Sequence, residues 1–186
     1  MSKQWKKMNN VLLITEQYIK TNSGLDENVY GKFLIPAIRE AQEMGLQSIV
    51  GTAMYEKVCA MVADGSIHDD ENWDYKYVLD KHFQPYLMYM TIASLIPVIG
   101  TKITNLGTVV TNDEHTVNLS KTDRDGLVDY YEQRSTHYAR AMQKYLTKNR
   151  ILYPELNDCN CDAMQANLKS ASVSPIWLGG CRGKKQ

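Results

Sequence analysis

Four cysteines and four histidines are the residues with which this chain could coordinate a metal or act as nucleophile and base, and their spacing favours neither use. Cys159-Asn-Cys161 is the nearest approach to a metal motif, but it is tighter than the usual zinc pair, and Cys181 and His137 are only loosely available as partners. Free, reduced thiols are expected. His68, His82, His115 and His137 fall in an acidic loop, a core helix, a predicted turn and a surface helix, with no two at ligand spacing on one element. The acidic run Asp69, Asp70, Glu71 and Asp74 lacks the glycine-centred spacing of a calcium loop and reads as a solvated loop. Nucleophile elbows, phosphate loops and dinucleotide fingerprints are missing from the sequence. The expectation is a protein without catalysis, cofactor or metal.

One stretch carries both charge and aromatic rings. Arg124, Arg134, Arg140, Lys144, Lys148 and Arg150 interleave with Tyr130, Tyr131, Tyr138 and Tyr145, which superficially matches a basic aromatic nucleic-acid surface. The tyrosines mostly share the apolar stripe of a helix. The reading adopted is that they pack inward, while the arginines are solvated or pair with Asp123, Asp125, Asp129, Glu132 or a neighbouring subunit.

The composition is that of an ordinary soluble domain. The chain has 186 residues, 44% of them hydrophobic and 23% charged, enough for one domain with a hydrophobic core. Lysine plus arginine equals aspartate plus glutamate at 21 each, so no global charge draws it to nucleic acid. The longest apolar stretch, Pro85 to Ile99, is interrupted by Thr91, Ser94 and Pro97 and is short for a bilayer span. Leu12-Leu13-Ile14 is too short for a signal-peptide core, so the chain is expected to stay in the cytoplasm where it is made.

The elements that would position these residues are mainly helical. Thr15 caps a short helix that stops at Asn22-Ser23-Gly24. Asn28 to Val50 keeps Val29, Phe33, Leu34, Ala37, Ile38 and Ala41 near one face, and Pro36 is expected to start a second helix after a separate turn. Thr52 opens a helix ending at Asp64-Gly65, with Met54, Tyr55, Val58, Met61 and Val62 inward. Tyr75 to Ile99 is apolar nearly all round, as in a helix surrounded by others, and Pro85 should bend or divide it.

Lys102 to Lys121 changes to β-branched residues and reads as a β-hairpin. Ser120-Lys-Thr-Asp123 then offers a capping box for a long helix ending near Asn149, with Leu127, Tyr131, Tyr138, Met142 and Tyr145 on one stripe. Periodicity fades beyond Pro154. The fold class expected is mainly α: a helical bundle with an inserted β-hairpin and an extended C-terminal arm. Its domain is residues 1–152, with the hairpin at about 102–121, followed by an arm over 153–186. A hairpin edge and the apolar patch Ile176-Trp177-Leu178 invite association.

The order of elements resembles the head-tail connector proteins of tailed bacteriophages, in particular the type found in crAss-like phages. The resemblance rests on Leu13-Ile14-Thr15-Glu16, on Leu34-Ile35-Pro36-Ala37-Ile38-Arg39-Glu40-Ala41-Gln42, and on the run from Ile49-Val50-Gly51-Thr52 to Val58. Phe83-Gln84-Pro85-Tyr86-Leu87, Leu95-Ile96-Pro97 and Lys102-Ile103-Thr104-Asn105-Leu106-Gly107-Thr108-Val109 extend it over about Leu13 to Leu152. It implies a virion structural protein at the head-tail junction, present in the host cytoplasm before assembly. The implied form is a homo-oligomeric ring, typically of twelve copies, below the portal protein and above other connector or tail proteins, with DNA passing through its lumen. No catalysis and no membrane are implied.

The interface residues expected on this reading are Ile103, Val109, Val110 and Val117 of the hairpin and Ile176, Trp177 and Leu178 of the arm. The competing expectation is a small cytosolic helical protein that binds nucleic acid, or regulates, through the basic face of the long helix.

Overall fold

A computed structural model describes residues 11–26, 28–99, 120–157 and 163–168, and the backbone of 101–104 and 107–110. The architecture is mainly α. Helix α1 (Glu16–Asn22) starts where the Thr15 hydroxyl accepts the Tyr18 N–H at 3.1 Å, and it buries Ile19.

Helix α2 (Gly31–Glu40) runs without a break into a π-helical turn (Ala41–Leu46) and the short α3 (Gln47–Val50). Pro36 therefore lies inside a helix and does not start one. Both Pro36 and Lys32, whose carbonyl loses its α-helical donor to the proline ring, are exposed, so water is at hand for that carbonyl. The opposite face buries Leu34, Ala37 and Ile38, and that packing holds the helix through the proline.

Gly51 ends this rod at φ 82° and ψ 160°, a conformation essentially confined to glycine, and α4 (Thr52–Asp64) leaves at once in a new direction. Met54, Val58, Cys59 and Met61 face the core, and left-handed Gly65 closes the helix. Two 3-10 turns, Ser66–His68 and Asp70–Asn72, carry the acidic run to α5 (Trp73–Val78).

A second π-helical turn, Leu79–Phe83, joins α5 to α6 (Gln84–Leu95), and Pro85 sits in the first turn of α6. The Gln84 N–H reaches back five residues to Leu79, so the wider turn lies just ahead of the residue that has no donor. The proline divides the helical run in this sense. Seven of the twelve residues of α6 are buried, which makes it the central helix of the bundle.

Strands β1 (Thr101–Thr104) and β2 (Gly107–Val110) pair antiparallel, with Thr101 opposite Val110 and Ile103 opposite Thr108. The ladder ends at Val110, short of the expected limit near 121. Residues 111–119 lie outside the described residues, and Lys121 already belongs to the next helix.

Helix α7 (Lys121–Lys148) has 28 residues, about 42 Å at 1.5 Å per residue. Ser120 caps it twice over: its Oγ accepts the Asp123 N–H at 3.2 Å and donates to Asp123 Oδ2 at 2.6 Å. Antiparallel packing of α7 on α5 and α6 brings Tyr145 against Tyr77, Tyr138 against Tyr89, and Ser135 near Met90. Leu34, Ile38, Phe83, Leu87, Met142 and Leu146 are fully buried where α2, α6 and α7 meet.

The packed body does not stop at Leu152, where the sequence reading ended the domain. Tyr153, just before the 3-10 turn Pro154–Asn157, is 0% exposed, and Leu156 within that turn is buried. Residues 163–168 then run along the junction of α3 and α4 without regular structure of their own.

Candidate functional site

The groups capable of chemistry are dispersed. Cys59 is buried in α4, and desolvation pushes its thiol up to about 11, so it is protonated and shielded at neutral pH. Cys159, Cys161, Cys181 and His115 lie outside the described residues. Among the described residues no three His, Cys, Asp or Glu side chains come together in a way that could hold a metal. No helix of the described residues is long and apolar enough to cross a membrane.

An aromatic seam runs between α5–α6 and α7. His82, in the π-helical turn, stacks on Tyr145 at 4.6 Å between ring centroids and meets the edge of Tyr77 at 6.1 Å. Its Nε2 is buried and has no hydrogen-bond partner among the described residues, and burial holds its pKa below the ordinary histidine value. Tyr153 donates to the Asp74 carbonyl at 3.2 Å, and Tyr75 donates to Glu155 Oε2 at 2.9 Å. Burial raises both phenol pKa values. These contacts fasten the end of the body to the start of α5, and they serve packing.

The opposite end of the molecule is built differently. Over Ile96–Ile99 and Ser120–Arg134 no residue is buried, although Ile96 and Tyr131 still pack against the edge of the core. Ile99, Leu127 and Tyr130 are exposed by 41%, 38% and 46%. Leu127 was expected on the inward stripe, yet it is exposed, and the first buried residue of α7 is Ser135. The stripe itself holds from Tyr131 onward. Tyr131, Tyr138 and Tyr145 pack against the core, while Tyr130 turns outward and carries the Arg134 guanidinium 3.4 Å over its ring.

Of the expected interface residues, Ile103 sits in β1 and Val109 and Val110 in β2. Val117, Ile176, Trp177 and Leu178 lie outside the described residues. The sequence did not lead to the expectation that α7 buries none of its residues before Ser135. A signal was present: between Lys121 and Tyr130 only Leu127 and Val128 are aliphatic, too few for a buried stripe over nearly three turns.

The outer face of α7 carries a shallow open depression lined by Asp129, Glu132, Gln133, Thr136, His137 and Arg140. A family model, described as a family of unknown function (DUF6712), matches residues 46–164, more than half of the chain. No curated protein and no solved structure matches it.

Proposed function

We propose that this chain, which belongs to the DUF6712 family, is a structural subunit of a phage head-tail connector: a non-catalytic ring protein, of about twelve copies by its resemblance, that sits below the portal and frames the DNA passage. One observation carries the reading. Residues Ile96–Ile99 and Ser120–Arg134 include no buried residue, while Ile99, Leu127 and Tyr130 are exposed. A ladder with only two strands is marginal in water, and apolar side chains held away from a core are sites for another surface. In a ring, these exposed side chains of one copy meet the flank of the next, a head-to-tail contact that closes by rotation.

The ladder edge, with Ile103, Val109 and Val110, is the second contact proposed, through strand pairing to a neighbour or to the portal. The work of the protein on this account is geometric. It needs no cofactor, and its place is the virion after a period in the host cytoplasm. The test is assembly with purified portal protein, followed by light scattering and negative-stain microscopy. Salt-dependent retention of DNA, with no rings, would favour the nucleic-acid reading instead, because the last half of α7 bears Arg140, Lys144 and Lys148.

A further inference from the structure

One aromatic surface of the molecule is used neither by the packing nor by the contacts proposed above. Trp73 and Tyr77, one turn apart on α5, are exposed by 60% and 40%, and their rings meet edge to face at 6.4 Å. Tyr77 in turn meets Tyr145 of α7 at 5.5 Å, so the ring surface runs from one helix onto the other. The same end of the molecule carries Ile151 and Leu152, both exposed, just before Tyr153, which donates to the carbonyl of Asp74 beside Trp73. An indole this exposed forgoes most of the gain of burial, and such rings are the usual anchors of a contact.

The chain beyond Leu168 is long enough to cover this surface. The Leu168 carbonyl accepts the Thr147 hydroxyl at 3.4 Å, and the Asn167 carbonyl accepts Gln143 Nε2 at 2.9 Å. The described residues therefore end beside the last turn of α7, with Thr147 one residue short of the end of that helix. Traced through Thr147 and Tyr145, the Tyr77 ring lies within roughly 21 Å of Leu168. Ile176 is eight residues further on, a reach of about 26–29 Å when extended, which allows a path round the end of α7.

Residues 169–186 also match the surface in character. They hold one concentrated apolar group, Ile176-Trp177-Leu178, and four basic residues, Lys169, Arg182, Lys184 and Lys185, with no acidic one. From Asp69 to Tyr77 the chain carries four carboxylates and a single lysine, and Asp69, Asp70 and Glu71 are exposed. We propose that Ile176, Trp177 and Leu178 dock on Trp73 and Tyr77 of their own chain, with Arg182, Lys184 and Lys185 over the acidic turns at Asp69 to Glu71. A short tether holds the arm at an effective concentration on the order of millimolar, so it outcompetes the arm of a second copy. A nucleic acid stacked on the two rings would bring its phosphates against the same carboxylates. The contact lies at the other end of α7 from Leu127 and Tyr130, and it does not depend on the ring.

Hydrogen exchange of the full chain, read by mass spectrometry, tests the docking. Amides of residues 176–178 should exchange at least about tenfold more slowly in the parent than in Trp73→Ser, whose replaced ring is exposed and outside the core. The charge-reversed chain Arg182→Glu/Lys184→Glu/Lys185→Glu should lose part of that protection at low salt. Hydroxyl-radical labelling of Trp73 should rise at least about twofold in Trp177→Ser, which leaves every described residue unchanged. The protection should be the same over a roughly twentyfold range of protein concentration. Equal exchange in the parent and in either substituted chain, or equal labelling of Trp73 with and without Trp177, would overturn the proposal. Protection that grows with concentration would overturn it too, by assigning the surface to the arm of a second copy.

Discussion

Thr52 and Met164, 112 residues apart, exchange two hydrogen bonds: the Thr52 N–H donates to the Met164 carbonyl at 2.8 Å, and the Met164 N–H donates to the Thr52 hydroxyl at 3.1 Å. With the Asn167 N–H on the Ile49 carbonyl and Gln143 Nε2 on the Asn167 carbonyl, they strap residues 163–168 across the α3–α4 junction and onto α7. Three separate parts of the chain are tied at one point.

Gly51 permits that approach. A Cβ there would stand 2.7 Å from the Ala166 nitrogen, and the backbone angles already exclude other residues. Gly51→Ala is expected to destabilise by about 1–3 kcal/mol and to release the strap. Denaturant unfolding and hydrogen exchange at Met164 and Asn167 would show both effects. An unchanged protection pattern would mean the strap does not depend on Gly51.

Gln42 is a second tie. Its buried carboxamide accepts the Leu13 N–H at 2.8 Å and donates to the Val11 carbonyl and the Tyr55 hydroxyl. Gln42→Leu leaves the buried Leu13 N–H without an acceptor, and a loss of about 1–3 kcal/mol is expected in equilibrium unfolding. A loss below about 0.5 kcal/mol would show that water replaces the amide.

His82 makes stability depend on pH. Its folded pKa lies below the unfolded value of about 6.5, so the unfolded chain binds the extra proton first as pH falls. Stability from this residue is complete above pH of about 6.5 and is lost as pH drops toward the folded pKa. Thermal melts between about pH 7.5 and 5.5 should show a falling midpoint, and His82→Phe, which keeps a ring against Tyr145, should flatten that fall. Equal slopes in both proteins would assign the dependence elsewhere.

Leu127 and Tyr130 separate stability from assembly. Leu127→Asp and Tyr130→Asp change exposed side chains, so unfolding free energies should stay within about 0.5 kcal/mol of the parent. Assembly with the portal should fall sharply. A variant that assembles as the parent does would remove Leu127 and Tyr130 from the interface.

Much of the helical layout was legible because caps and apolar spacing are local. Thr15, Gly65 and Ser120 mark boundaries by hydrogen-bond and φ requirements that the residues themselves announce. Pro36 misled because tolerance of a proline depends on whether the freed carbonyl meets solvent, a tertiary fact. Both π-helical turns were invisible for the same reason: they re-register a helix against its neighbours without altering its composition. Tyr153 belongs to the core through partners nearly eighty residues away, Tyr75 and Asp74, which periodicity cannot reveal. For the candidate site, the sequence pointed to the strand-forming residues but not to the bare first half of α7, since a stripe that begins at Tyr131 looks continuous with Leu127 when only spacing is read.

The most direct test of the connector account is negative-stain microscopy with light scattering on the purified chain, alone and mixed with a purified phage portal protein. The account predicts closed rings, either free or formed on the portal, and their loss when Leu127 and Tyr130 are replaced by aspartate. A compact particle that ignores the portal at every salt concentration would contradict it.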